Sequence, residues 1–141
     1  MPGHRQGYRS VPHTADVVLE AWGPDLASCC EEAVAALVSV YLSRVGGPAP
    51  GTRELRLPPA NAESLLVDLL EEVIFTLDTA DAVPVRAEVR SAPDGSLDVN
   101  LQLADLENLE ESGPVPKAIS RSGLVVTTEA TGVYCRFLVD V

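Results

Sequence analysis

The chain reads as an α+β protein, with two helices packed on one face of a largely antiparallel (mixed) β-sheet. Three observations carry that reading. Apolar and polar residues alternate with period two through Val85–Arg90 and again through Leu97–Leu103, on either side of Pro93-Asp94-Gly95, which predicts a hairpin. Two other stretches, Leu26 to Tyr41 and Leu65 to Leu77, repeat apolar residues every three or four positions, the period of an amphipathic helix. The strands after the second helix follow one another through tight turns rather than crossovers, so that part of the sheet is antiparallel.

Residues 1–7 are expected to be a loose leader, and Tyr8 to Val11 a short strand. Val17 to Ala21 carries apolar residues on both faces, which places it centrally in a sheet. Trp22-Gly23-Pro24 ends it, and Pro24 with Asp25 supplies the fixed φ and the acidic group favoured at a helix start. Leu26, Cys30, Ala33, Leu37, Val40 and Tyr41 form the apolar stripe of that helix, with Glu31 and Glu32 on its other side. Gly46-Gly47-Pro48 stops it and opens a loop to Gly51. Arg53–Leu57 alternates as a strand with one wet face, and Pro58-Pro59 prevents its continuation.

Asn61 suits the N-cap of the second helix. Its wide apolar face makes that helix the more deeply buried one, while Asp68, Glu71 and Glu72 share the opposite face. Asp105 to Pro116 is acidic and proline-bounded, and is expected to be an exposed loop. Lys117–Ser120 begins a strand that Ser122-Gly123 bends or bulges before Leu124–Ala130 continues it. After the turn at Thr131-Gly132, Val133, Cys135, Phe137, Val139 and Val141 point one way. Tyr134, Arg136, Leu138 and Asp140 point the other, so Asp140 is aimed away from the core.

The 141 residues suffice for one domain with a core, and 46% hydrophobic residues argue against disorder. No apolar run reaches the roughly 18–20 residues of a membrane span, and the first residues lack a signal peptide's apolar segment, so a cytoplasmic protein is expected. Ten Lys and Arg face 21 Asp and Glu, a net charge of −11. Phosphate backbones are held by cations, so direct nucleic-acid binding is not expected, whereas a metal ion or a basic protein surface suits the charge. Cys29, Cys30 and Cys135 are too few and too irregular for a disulfide framework and fit buried, reduced thiols.

The densest polar constellation is Pro12-His13-Thr14-Ala15-Asp16, mounted on the start of the Val17 strand. If the two ends of the chain meet, Asp16 and Asp140, with the terminal carboxylate of Val141, form an oxygen-donor site for Ca²⁺, Mg²⁺ or Mn²⁺. Two carboxylates about 4 Å apart near a surface repel by about 4 kcal/mol, so a cation is the expected third member. On spacing alone, Asp16 reads as a turn residue and Asp140 as a solvated tail residue, because single aspartates at strand ends are common. His13 serves as a ligand, a base or a hydrogen-bonded structural residue. Asp68 belongs to a wet helix face or a partner surface. Lys117 is the one lysine of the chain. Neither a phosphate-binding glycine loop nor a nucleophile elbow is present. A metal-dependent hydrolase would need more ligands and a second acid–base group than the sequence offers.

Several blocks, in order, resemble one family. They are His13-Thr14-Ala15-Asp16, Leu19-Glu20-Ala21-Trp22-Gly23, Glu31-Glu32-Ala33, Glu63-Ser64-Leu65-Leu66-Val67-Asp68, Lys117-Ala118-Ile119-Ser120 and Phe137-Leu138-Val139-Asp140-Val141. They span nearly the whole chain and resemble archease. That resemblance implies a non-enzymatic auxiliary of the RNA-splicing ligase that joins 2′,3′-cyclic-phosphate and 5′-hydroxyl ends. It would promote the ligase's guanylylation and repeated turnover in tRNA splicing or RNA repair, with GTP bound by the ligase. The resemblance also places metal ligands on Asp16, Asp140 and Val141, with calcium the usual ion, and an activating role on Lys117. Two family histidines are missing: the 105–116 segment has none, and Ser122 stands where the second is expected. The alternative is a chaperone-like interaction module that uses no metal.

Overall fold

The computed structural model describes residues 6–11, 16–45, 51–79, 82–105, 109–111 and 113–141. His13 and its neighbours 12–15, most of the expected leader, and residues 46–50 of the loop before Gly51 lie outside the described residues. The described elements run β1 (Gly7–Val11), β2 (Val17–Gly23), α1 (Leu26–Tyr41), β3 (Leu42–Val45), β4 (Gly51–Leu57), α2 (Ala62–Thr79), β5 (Ala82–Ser91), β6 (Leu97–Asp105), β7 (Leu109–Glu111), β8 (Ala118–Glu129) and β9 (Gly132–Asp140). Every strand pairing is antiparallel. The α+β class is as expected. The strands divide into a four-stranded sheet ordered β1-β2-β9-β8, a three-stranded sheet ordered β4-β6-β5, and the small pair β3-β7.

Local chemistry sets the helix starts. Asp25 caps α1: the Ser28 amide donates to Asp25 Oδ1 at 2.8 Å, and the Asp25 amide donates back to Ser28 Oγ at 3.2 Å. Hydrogen bonds donated to Asp25 Oδ1 by the Ser28 amide and hydroxyl hold the Asp25 carboxyl below the usual carboxylate range. Asn61 caps α2 by accepting from the Ser64 amide at 2.8 Å. The helix's apolar positions then bury Leu65, Leu66, Leu69, Leu70 and Val73.

The core is shared by both main sheets. Helix α1 packs on β2 and β5, one strand from each, and α2 packs on β8, β5 and β4. From β9, Cys135, Phe137 and Val139 are fully buried, as are Leu19 and Ala21 of β2 and Leu101 of β6. Truncating a side chain as large as Phe137 in such a core costs about 3–5 kcal/mol. The three cysteines are buried and free, with the Cys29 thiol donating to the Ala21 carbonyl at 3.6 Å. Burial raises the Cys30 thiol, and a hydrogen bond with Cys29 together with burial raises that of Cys135, which keeps both unreactive.

Three local expectations change. The acidic segment is not simply a loop: Leu109–Glu111 pairs with Leu42–Val45, and Pro116 is buried. Strand β5 begins before Pro84, and a register break between Pro84 and Arg86 accommodates the residue that cannot donate. Glu31 does not face away from the body of the protein, because its Oε2 accepts the Val89 amide of β5 at 2.9 Å.

The bulge in β8 is where Ser122-Gly123 put it. Ser120 pairs with Leu138 and Val125 with Arg136, so Arg121 to Leu124 stand against Phe137 alone. The β8–β9 turn returns at Gly132, whose φ is +144° and whose added Cβ would lie 2.5 Å from the Gly23 carbonyl oxygen. Gly132→Ala is therefore expected to destabilise the fold by more than about 1 kcal/mol, through both strain and the backbone clash. Urea unfolding checks this as a lower midpoint at unchanged slope.

Candidate functional site

Strand β9 runs between β2 and β8, and its last residue is where the notable polar groups gather. β2 and β9 pair from Gly23↔Val133 to Val17↔Val139. Asp16 directly precedes Val17 and Asp140 directly follows Val139, so the two acids flank the last pair of that ladder. On the other side Asp140 pairs with Ala118, and the Lys117 amide donates to the Asp140 carbonyl at 2.8 Å. Asp16, Lys117, Asp140 and Val141 thus share one end of the four-stranded sheet. Asp140 is exposed and Asp16 and Val141 are half-buried. Val133, Cys135, Phe137 and Val139 fill the core face, so Asp140 belongs to the opposite face, as its parity in the sequence requires.

Among the described residues, neither Asp16 nor Asp140 has a cationic side chain within salt-bridge distance. No three His, Cys, Asp or Glu side chains converge as a metal cluster among the described residues. The donors at this end are two carboxylates and the main-chain oxygens of Val141. All are hard oxygen ligands, suited to a Ca²⁺- or Mg²⁺-type ion that keeps several waters and unsuited to a soft-metal cage.

Two cavities beside α2 take in the other residues singled out in the sequence, Asp68 away from this end and Lys117 next to it. Asp68 lines a cavity of about 410 Å³ with Arg56 and Pro58 beside α2. Lys117 lines a different one, of about 350 Å³, with Glu71, Phe75 and Asp78 of the same helix. His13 is outside the described residues.

A part-buried ion-pair network was not foreseen. Glu20 is only 6% exposed, on the sheet face away from the helices. Arg9 of β1 donates to its two carboxylate oxygens at 3.1 and 2.9 Å, and the Tyr134 hydroxyl of β9 donates to Oε2 at 2.9 Å. Burial pushes the Glu20 carboxyl up, but the hydrogen bonds from Arg9 and Tyr134 outweigh it and hold the group below its ordinary value. Burial and the bond to Glu20 push Tyr134 up to about 12. The network ties three adjacent strands together. Glu20 is four residues on from Asp16, which directly precedes β2. The signal was a glutamate inside an apolar strand, at even spacing from Asp16.

A small α+β protein built on antiparallel sheets, with two acids at one sheet end, is the class these features define. The chain belongs to the archease protein family: the family model, described as Archease protein family (MTH1598/TM1083), matches residues 8–141. It is 40% identical over 140 residues to the "Probable protein archease" of Mycobacterium tuberculosis, covering 99% of this chain and 78% of that one. It is 27% identical to the "Protein archease" of Methanosarcina acetivorans, with both chains covered in full. The fold is also that of Methanobacterium thermoautotrophicum protein 1598, at a TM-score of 0.74, 23% identity and coverage of 96% of this chain and 99% of that one. It is likewise that of a Thermotoga maritima protein described as an archease and possible chaperone, at 0.65 and 18%, with 94% and 96% covered.

The Glu20 network generates a pH prediction. A carboxyl held below its ordinary value of 4.5 adds stability above that pH and loses it as pH falls through the lower folded value. Glu20→Gln is expected to lower the melting temperature at neutral pH. Thermal melts from pH 7 down to about pH 3 should show the gap to wild type closing below about pH 4.5. A gap that stays constant would mean the ionised form is not what stabilises.

Proposed function

We propose that this protein is a metal-binding auxiliary of the 2′,3′-cyclic-phosphate/5′-hydroxyl RNA-splicing ligase. It promotes guanylylation and repeated turnover of that enzyme in tRNA splicing or RNA repair, acts in the cytoplasm and is not itself a catalyst. The observation that carries the reading is the register of β2 and β9, which brings Asp16 and Asp140, far apart in sequence, to neighbouring positions beside Val141. Membership of the archease family supports the auxiliary role.

In this reading Asp16, Asp140 and the main-chain oxygens of Val141 hold a divalent cation, calcium above magnesium or manganese. Bound there, the cation offsets the repulsion of the two acids and supplies a positive charge at the contact with the ligase. Lys117 stands beside it, tied to Asp140 through the backbone, and presents a second cation to the partner. The net charge of −11 leaves RNA to the ligase. His13 and Asp68 are secondary partner contacts.

The second reading, a metal-free chaperone-like module, is favoured by the description of the Thermotoga maritima structural neighbour as a possible chaperone. Calorimetry with calcium, magnesium and manganese separates the two. Asp16→Ala and Asp140→Ala are each expected to weaken divalent-ion binding by more than about tenfold and to abolish stimulation of ligase turnover. Lys117→Ala should leave ion binding intact while reducing stimulation. Wild-type stimulation by both aspartate variants would overturn the metal reading.

A further inference from the structure

Phe75 stands on the outer side of α2 with 55% of its surface exposed, the most open of the large apolar side chains among the described residues. The core does not need it, because Leu66, Leu70, Val73 and Ile74 already fill the inner side of the helix. Its ring is nonetheless braced. The Arg53 guanidinium of β4 lies over it, 5.6 Å from the ring centre. Arg53 is itself fixed by an ion pair with Glu72 at 3.0 Å and a hydrogen bond donated to Thr76. Phe75 and Glu71 line two recesses, one of about 410 Å³ toward Asp68 and one of about 350 Å³ toward Asp78 and Lys117. The ring is thus a pre-positioned, solvent-facing post between two hollows.

The charge around that post is negative once every neighbour is counted. Asp68, Glu71, Glu72 and Asp78 supply the acids of the helix face. The cations beside them are Arg53, Arg56, Lys117 and Arg121. Arg53 is taken by Glu72, and Arg56 by Asp94 at 2.9 Å with Asp98 at 3.9 Å. Arg121 meets Glu71 only at 3.9 Å, with both side chains more than half exposed, a pairing of little strength. Lys117 makes no salt bridge among the described residues, and its own neighbour is Asp140. Asp68 and Asp78 have no cation within salt-bridge distance among the described residues. Toward the Asp140 end the negative excess grows, since Asp16 and Asp140 outnumber Lys117.

We propose that this face of α2 docks a basic segment of the partner protein, a long cationic side chain lying along Phe75 with its head toward Glu71 and Asp78. That the partner is the RNA-splicing ligase rests on the function proposed above; the chemistry of the segment does not. Arginine suits the place better than lysine, because a guanidinium both stacks on a ring and pairs with carboxylates. The other occupants fit less well. RNA would bring phosphates to a surface of carboxylates. A second copy of this chain would set acid against acid in a protein of net charge −11.

The test uses the full chain, isotopically labelled, with three probes: a capped Leu-Arg-Leu-Arg peptide, its Leu-Glu-Leu-Glu counterpart, and an oligouridylate trimer. Saturable shifts centred on Glu71, Phe75 and Asp78 are expected with the arginine peptide only. Phe75→Ser leaves every charge in place and should weaken that binding by about tenfold, as should Asp78→Lys. Arginine-peptide binding unaffected by Phe75→Ser would mean diffuse attraction to an acidic protein and would overturn the proposal. Shifts centred elsewhere, a response to the trimer, or shifts that depend on the protein's own concentration would overturn it too.

With purified ligase, Phe75→Ser is expected to weaken binding by about tenfold while calorimetric ion binding stays at the wild-type value. Unchanged ligase affinity in that variant would overturn the assignment of the ligase to this face. Lost ion binding in Asp16→Ala, by contrast, bears only on the metal reading. Both substitutions on α2 are at exposed positions, and circular dichroism melts confirm that the variants are folded.

Discussion

The pairing of β2 with β9 is the constraint on which the rest of the structure depends. Both strands are internal to the four-stranded sheet, and their alternation is set by burial on one side: Leu19, Ala21, Cys135, Phe137 and Val139 all have to face the helices. A slip of one residue would turn that whole set to the other face, a loss of several fully buried side chains at about 1.5–3 kcal/mol each. The register is therefore fixed by hydrophobic burial, and the position of Asp16 relative to Asp140 follows from it. A polar site that the two acids could not stabilise by themselves is imposed on the chain by the apolar residues behind it.

The opposite face of the same strands carries the polar consequences. Along β2 the residues of that face are Val18, Glu20 and Trp22, with Asp16 just before the strand, and along β9 they are Asp140, Leu138, Arg136 and Tyr134. The face changes from acidic to apolar to ion-paired within a few residues. Glu20 has its charge met by Arg9 and Tyr134, because a carboxylate that buried would otherwise be neutralised or unfold the strand. Asp140, exposed at the end, is subject to no such requirement and keeps its lone pairs available to a ligand.

Much of this was legible in the sequence wherever the cause was local. Asp25 and Asn61 start their helices as their side-chain oxygens dictate, the 93–95 turn closes its hairpin, and Ser122-Gly123 marks the bulge. The parity of the last strand, and with it the direction of Asp140, also followed from alternation alone. What escaped was non-local. The β3–β7 pair joins two short, unpatterned segments, one of them mostly glutamate, and neither shows its partner. Likewise, nothing near Glu20 announces Arg9 or Tyr134, the latter 114 positions away. The division of the strands between sheets depends on which helix face each covers, a property of packing that periodicity does not record.

The contact between Glu31 and Val89 has a colloidal consequence. Strand β5 lies at the margin of its three-stranded sheet, where an unsatisfied amide would invite another chain to add on. A carboxylate from α1 occupies one of those amides and surrounds it with negative charge, so an incoming backbone carbonyl meets both a filled donor and a repulsive field. A helix that otherwise serves to cover the core thereby also blocks one of the edge amides on which another strand could add.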